Sequence, residues 1–459
     1  MKTCALVFAL AIPAAFAQLP AATQTAVDQA ARKVLAETGS TSASIAVVKD
    51  AKVAYVQAYG DARLDPKTPA TSGMRYKIGS NTKQFVATAI LLLAEQGKLS
   101  LDDRVSKFIP GLTRGNDVSI RQLLSHTSGY QDYYPLDYVA PFMTHATTLQ
   151  GILDVWAKKP LDFEPGTEWQ YSNTNYTIAG LIIEKAAGKP FFEFLRERIL
   201  TPLGMHSAID SDHEKWSDAD PVGYQHYALG PPRTALPEGT GWLNAAGELA
   251  MTAGDLALWD ISLIQGSILK PESLRALTTE VNLKNGARTG YALGLGVSNN
   301  NGHRVWSHGG GTSGFTSSNT TYPDDRVAIT VFTSSEGNAS SLIRREIEKL
   351  VMAPAEDPGA APALDSVRRL FSGLQNGKLD RSMLDSDANA YFTPEVVSDY
   401  TSSLKGFGTP SSFTQTAKSD RGGMTSRSFA IHAGDKSLRL STFFTPDGKI
   451  AQYLVYPAQ

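Results

Sequence analysis

Ile78-Gly79-Ser80-Asn81-Thr82-Lys83-Gln84-Phe85, continuing through Leu93 to Gly97, is the stretch around which the chain is organised. Apolar or small residues at Ile78, Phe85, Ala89, Leu92 and Leu93 recur near the helical period, and Gly97 suits the left-handed backbone that ends a helix. The spacing predicts a buried helix with Ser80 in its first turn, where free N–H groups and the positive dipole end favour a developing negative charge. Lys83 falls one turn on, on the same face. A serine hydroxyl becomes a nucleophile when a neighbour takes its proton, and a lysine whose pKa is lowered by burial can be that neighbour. Ser-x-x-Lys recurs at Ser267/Lys270 and Ser402/Lys405, so the pattern alone does not single out a site.

The 459 residues, 42% of them hydrophobic, suffice for a substantial core and at least two domains. A formal net charge of −2 and the lack of a long basic run give no electrostatic support to a nucleic-acid partner. Met1-Lys2-Thr3, an apolar run from Ala5 to Phe16, and Ala15-Phe16-Ala17 before Gln18 have the layout of a secretory leader over residues 1–17. Cleavage is expected after Ala17, giving a periplasmic or secreted protein with no membrane span. Cys4, the sole cysteine, lies in that leader, so disulfides and thiol catalysis are excluded from the mature chain.

Thr23 to Glu37 reads as a helix stopped at Gly39, and Ser44–Val48, Lys49-Asp50-Ala51-Lys52 and Val53–Val56 as a hairpin ending at Gly60. Helices are expected over Tyr176–Lys185 and Phe191–Leu200, from Thr252 through Leu263, and over Pro271–Leu277; Asp210–Gly241 reads as a long surface excursion near the site. Strands are expected over Tyr291–Val297, His303–Ser307, Phe315–Tyr322 and Val327–Phe332, then a helix from Ser341 to Met352. Strands at both ends with helices between them argue for an α+β layer fold with a helical subdomain. Residues 353–363, dense in Pro and Ala, read as a linker. Beyond it, 364–459 is expected to be a small α+β accessory domain, with Val367, Leu370, Phe371 and Leu374 on one helix face. A late hairpin follows, turning at Pro446-Asp447-Gly448 and placing Ile450, Gln452, Leu454 and Tyr456 on one face.

Ser80-x-x-Lys83, then Tyr171-Ser172-Asn173, then His308-Gly309-Gly310, closely resembles the three-motif set of penicillin-recognising serine hydrolases, specifically the class C β-lactamase-like group, peptidase family S12. That group includes D-alanyl-D-alanine carboxypeptidases, D-aminopeptidases and family VIII carboxylesterases. Leu124-Ser125-His126-Thr127-Ser128-Gly129, Pro202-Leu203-Gly204-Met205 and Ala253-Gly254-Asp255-Leu256 add to the likeness, which spans roughly Gln24 to Met352. The resemblance implies a β-lactamase/transpeptidase-like antiparallel sheet flanked by helices over 18–352. It also implies that Ser80 attacks a carbonyl while Lys83 and Tyr171 handle its proton, the phenol lowered in pKa by cationic neighbours. Asn173 is expected to orient Lys83 and the substrate amide. Gly310 and the other glycines of the run 309–311 are expected to let backbone approach the acyl group, with the N–H groups of Gly311 and Ser80 as oxyanion hole.

His308 replaces the lysine of β-lactamases, and Gly309 stands where the family has a hydroxyl residue that binds the carboxylate of β-lactams and peptide C-termini. Weak cephalosporin turnover is therefore expected. The function implied is acyl-enzyme hydrolysis of small esters or D-amino-acid-containing peptides; the alternative is a penicillin- or peptidoglycan-fragment-binding protein that acylates and hardly turns over. No cofactor is implied. Asp212-His213-Glu214 lacks a second ligand pair at metal spacing, so no metal is expected either. His126 and His206 read as hydrogen-bonded loop residues, the sequon Asn175-Tyr176-Thr177 as chance, and the absence of Gly-x-Ser-x-Gly removes an α/β-hydrolase.

Overall fold

The computed structural model describes residues 18–214, 216–300, 302–352 and 357–458. The leader expected over 1–17 lies outside them. Two compact units divide the chain, Met1–Ala353 and Pro354–Gln459.

In the first unit, Ser42–Lys49 and Lys52–Leu64 form a hairpin whose turn residues Asp50 and Ala51 both have φ of 55°, the primed-turn geometry that matches strand twist. Ser42–Lys49 also pairs with Val327–Thr333, so strands from the two ends of the unit meet at the middle of a seven-stranded antiparallel sheet. Its order is Lys67–Pro69, Lys52–Leu64, Ser42–Lys49, Val327–Thr333, Phe315–Tyr322, His303–Thr312, Gly296–Asn300. Ala43, Ile45 and Val47 join the core under helices Ala21–Thr38 and Ala339–Val351. Ala46 and Val48 join the opposite core, built around Thr82–Glu95 and Ala253–Gln265. Both faces of the strand are covered, which is why it reads as an unbroken apolar run. The expected β-lactamase-like layering of an antiparallel sheet between helices is what the chain adopts.

Helix Thr82–Glu95 is buried from Thr82 to Leu93 and ends ahead of Gly97 at φ +71°. Each fully buried Phe, Ile or Leu contributes about 1.5–3 kcal/mol, so Phe85, Ile90 and Leu93 hold this helix rigidly under the site. The strand expected over Tyr291–Val297 is displaced to Gly296–Asn300. Gly290 and Gly294, at φ +69° and +74°, turn the backbone ahead of it, and a Cβ on Gly294 would come within 2.6 Å of the Lys83 carbonyl. At the start of the excursion expected over Asp210–Gly241, strand Ile209–Asp210 pairs with Leu249–Met251, which also pairs with Tyr76–Lys77.

Asp260, fully buried on helix Ala253–Gln265, clips that helix to the sheet. Its carboxylate accepts from Asn319 Nδ2 (2.8 Å) and Thr321 Oγ1 (3.0 Å) on one strand and Thr330 Oγ1 (3.2 Å) on the next. Burial pushes the carboxyl up to about 7, partly offset by those donors. Asp260→Ala should cost about 3 kcal/mol, because the buried donors Asn319 Nδ2 and Thr321 Oγ1 lose their acceptor, while Thr330 Oγ1 keeps Asn319 Oδ1 (2.8 Å). Asp260→Asn should cost less above pH 7, where it removes a buried charge while keeping an acceptor oxygen. Urea unfolding midpoints at pH 8 test this; equal losses for the two variants would refute it.

In the second unit, helix Ala360–Gln375 starts inside the stretch read as linker. Pro362 is tolerated there because the first-turn N–H groups of a helix have no internal partner. Val367, Leu370, Phe371 and Leu374 are buried as expected, and Pro394–Lys405 packs with them. Four strands, Ser412–Arg421, Met424–Ala433, Lys436–Phe444 and Ile450–Pro457, make one antiparallel sheet in sequence order. The face assignment of the last strand is corrected. Its register shifts between Phe443 and Phe444, so Ile450 and Tyr453 are buried where strict alternation buries Gln452 and Leu454.

Candidate active site

Ser80 sits in a single 3-10 turn, Gly79–Asn81, that runs directly into helix Thr82–Glu95. The turn is pinned from the sheet: Ser317 Oγ donates to the Ile78 carbonyl (2.7 Å) and accepts from Asn81 Nδ2 (2.8 Å). Asn81 Oδ1 in turn accepts from Gln84 Nε2 (2.9 Å), whose Oε1 accepts from Trp259 Nε1 (3.0 Å). Gly79, at φ +52°, lets the turn lie against strand His303–Thr312: a Cβ there would fall 2.8 Å from Gly311 N. The turn bearing Ser80 and the backbone of Gly311 therefore lie side by side, as an oxyanion hole requires.

Lys83 is fully buried, and its Nζ donates to Ser80 Oγ (2.9 Å), Asn173 Oδ1 (2.8 Å) and the Ala246 carbonyl (2.7 Å). Burial lowers its pKa from 10.5 to about 7, with Asp132 opposing the shift. On losing one proton the amine keeps two N–H groups. The two carbonyl oxygens can only accept, so they retain them, and the lone pair is left facing the one partner that can donate, the Ser80 hydroxyl.

Asn173 opens helix Asn173–Ala187, and its amide is oriented by a residue that the sequence did not flag. Asp132 accepts from Asn173 N (2.9 Å) and Nδ2 (3.3 Å), which turns Oδ1 toward Lys83. Tyr171 lies with its ring 5.0 Å from Lys83 Nζ, and the Ser80 side chain partly opposes the effect of burial on its phenol. The expected lowering of this phenol is corrected. Burial raises it instead and outweighs the cations invoked, which burial weakens: Lys83 is only half charged at about 7, and burial beside Lys83 lowers His308 to about 4. Tyr171 keeps its proton.

His308 Nε2 lies 2.8 Å from Tyr291 Oη, while Nδ1 faces the Gly309 carbonyl; a neutral ring with Nδ1–H donating to Gly309 O and Nε2 accepting from Tyr291 satisfies both. Beneath Tyr171, the buried His126 ring packs at a tilt with centroids 4.2 Å apart, and its Nδ1 accepts from Ser172 N (3.1 Å). It is hydrogen-bonded, as read, but it also supports the phenol. Asn175 is 1% exposed and accepts from Ser128 Oγ, so the sequon is closed to a glycan in the folded chain. Ser267, Lys270, Ser402 and Lys405 are all exposed, and neither pair shares the setting of the half-buried Ser80 and the buried Lys83. A cleft of about 810 Å³ opens over Ser80, lined by Tyr133, Tyr134, Tyr138, Tyr171 and Phe315 among others.

A family model described as Beta-lactamase matches residues 27–352. The chain belongs to the β-lactamase family. It is a serine hydrolase of that family, and the match covers the first unit with all three motifs. Penicillin-binding protein 4* of Bacillus subtilis (strain 168) is 26% identical over 384 residues, 79% of this chain and 84% of that protein. The D-amino acid amidase from Ochrobactrum anthropi SV3, complexed with L-phenylalanine amide, superposes with a TM-score of 0.63 at 26% identity, covering 72% of this chain and 98% of that one. The octameric penicillin-binding protein homologue from Pyrococcus abyssi covers 95% of this chain and 96% of its own, with a TM-score of 0.63; at 22% identity that likeness concerns the fold. Among the described residues no helix is long and apolar enough to cross a membrane.

Proposed function

We propose that this β-lactamase-family protein hydrolyses small esters and D-amino-acid amides or peptides through an acyl-enzyme on Ser80. The observation that carries the reading is the three-acceptor cage of Lys83, whose neutral form directs its lone pair at Ser80 Oγ. Lys83 takes the serine proton as Ser80 attacks, and the N–H groups of Ser80 and Gly311 receive the oxyanion. Tyr171, still protonated, gives its proton to the leaving group and is reprotonated with the proton that Lys83 took from Ser80, which returns Lys83 to its neutral form. Asn173 and His308 flank the acyl group, and the glycine run 309–311 lets the substrate backbone approach.

The cleft favours some members of that substrate class over others. Its lining carries Asp132, Asp137 and Glu336 and, among the described residues, no Lys or Arg. With no hydroxyl at Gly309 and no cationic residue among those lining it, the cleft offers a substrate carboxylate no charge partner, whereas a free amino group or a neutral ester is electrostatically welcome. That supports the amidase and esterase side of the family, as does the D-amino acid amidase among its structural neighbours. The penicillin-binding name of a relative keeps slow deacylation as the second reading.

Purified protein should be labelled by a fluorophosphonate on the Ser80 peptide. It should turn over a p-nitrophenyl ester and a D-aminoacyl p-nitroanilide steadily, at least about tenfold faster than a chromogenic cephalosporin, since one missing charge-assisted contact is worth about 1.5–3 kcal/mol. Cephalosporin hydrolysis at the ester rate would refute the substrate assignment, and a burst with no further product would establish the second reading.

A further inference from the structure

Asp210, His213 and Glu248 each place one ligand atom within 4.8 Å of the other two. The grouping is invisible to sequence spacing because Glu248 enters from a distant segment. Asp210 ends strand Ile209–Asp210 and pairs with Leu249, while Ser211 N and Oγ both donate to the Glu248 carbonyl at 2.8 Å. The backbone thus fixes the two carboxylates beside each other. His213 follows one turn later, with Nδ1 2.8 Å from Asp210 Oδ2.

Two carboxylates and an imidazole do not by themselves make a site. What points to a ligand is Glu248. It is 4% exposed, its side chain faces into the group, and among the described residues no donor or cation pairs with its carboxylate. The charged groups facing it are Asp210, Asp212 and Glu184, all of its own sign. Glu214 is engaged by Arg196, and the cation facing Asp212 is Lys77. A buried carboxylate held among like charges is costly unless a cation joins it.

We propose that Asp210, His213 and Glu248 bind a divalent transition-metal ion of the zinc class, with water completing the shell. The imidazole donor selects against calcium and magnesium, which take oxygen ligands. Tetrahedral zinc holds its nitrogen and oxygen ligands about 2.0–2.1 Å from the metal, so closing the present spread needs side-chain adjustments of about an ångström. The exposed His213 has that freedom. Binding would tie strand Ile209–Asp210 to the segment that runs back through Gly247 to Ala246, the residue whose carbonyl holds Lys83.

The test uses tag-free, full-length protein stripped with chelator and dialysed. Calorimetric titration with zinc chloride should give one zinc per chain, at least about 100-fold tighter than calcium chloride, and loading should raise the melting temperature by several degrees. His213→Ala and Glu248→Gln should each weaken zinc binding by about 10–100-fold, with melting curves confirming that both variants are folded. Because His213 is exposed, its variant remains informative even if Glu248→Gln proves unstable. Less than about one zinc per ten chains, unchanged affinity in the folded variants, or calcium binding as tight as zinc would overturn the assignment.

Discussion

Ser80→Ala is expected to leave no measurable turnover, and Lys83→Met to lower kcat for a simple ester by about 10²–10⁴-fold, the usual contribution of a positioned proton acceptor. Methionine is close in volume to the lysine stem, so the buried helix keeps its packing while the lone pair aimed at Ser80 Oγ is lost. Wild-type kcat/KM should rise with pH through about 7 as Lys83 loses its proton, and this limb should vanish from the residual activity of Lys83→Met. Stability should move with pH in the same direction. Lys83 has a folded pKa of about 7 against 10.5 when unfolded, so between those values the unfolded chain binds more protons. Through this group wild-type stability rises with pH across that window by about 1.4 kcal/mol per pH unit. The stability difference between Lys83→Met and wild type should therefore favour the variant most near pH 7 and shrink toward pH 10. A variant that retained the ascending limb near 7 would show that another group is the base.

That the candidate nucleophile, its lysine and the glycine strand come together was legible because each is local in sequence: Ser80 and Lys83 share one turn, and Trp306 to Gly311 lie on one strand. The central sheet was legible for the same reason, since alternate residues of Ser42–Lys49 feed two cores and leave an apolar run. What escaped is made by contacts across the fold. Asp132 sits in a tyrosine-rich loop with no motif, and only the fold brings it to the Asn173 amide. The Ala246 carbonyl is backbone and carries no side-chain signal at all. The direction of the Tyr171 shift failed because the sequence supplies neighbouring residue types but not their burial; burial raises the phenol itself and weakens the cations expected to pull it down.

The glycine run gives the second large effect, because the structure separates three residues that look equivalent in sequence. A Cβ on Gly310 would stand 1.9 Å from the Ile78 carbonyl and 2.4 Å from Ser317 Oγ, the pair that pins the turn bearing Ser80. A Cβ on Gly309 would meet only the Ser317 carbonyl at 3.7 Å, an ordinary contact, and one on Gly311 would meet nothing within 4 Å. Gly310→Ala must push strand His303–Thr312 off the Ser80 turn, parting the two oxyanion donors, and a misplacement of about 1 Å costs about 100-fold. Its kcat/KM should fall by at least that factor, with about 1–3 kcal/mol of stability lost to overpacking. Gly309→Ala should stay within about threefold of wild type, since in this chain the position has room for a side chain and lacks one by chemistry, not by sterics. Ester kinetics and urea midpoints for the two variants decide the matter: equal losses at 309 and 310 would mean that backbone flexibility, rather than the contact with Ile78, is what the run provides.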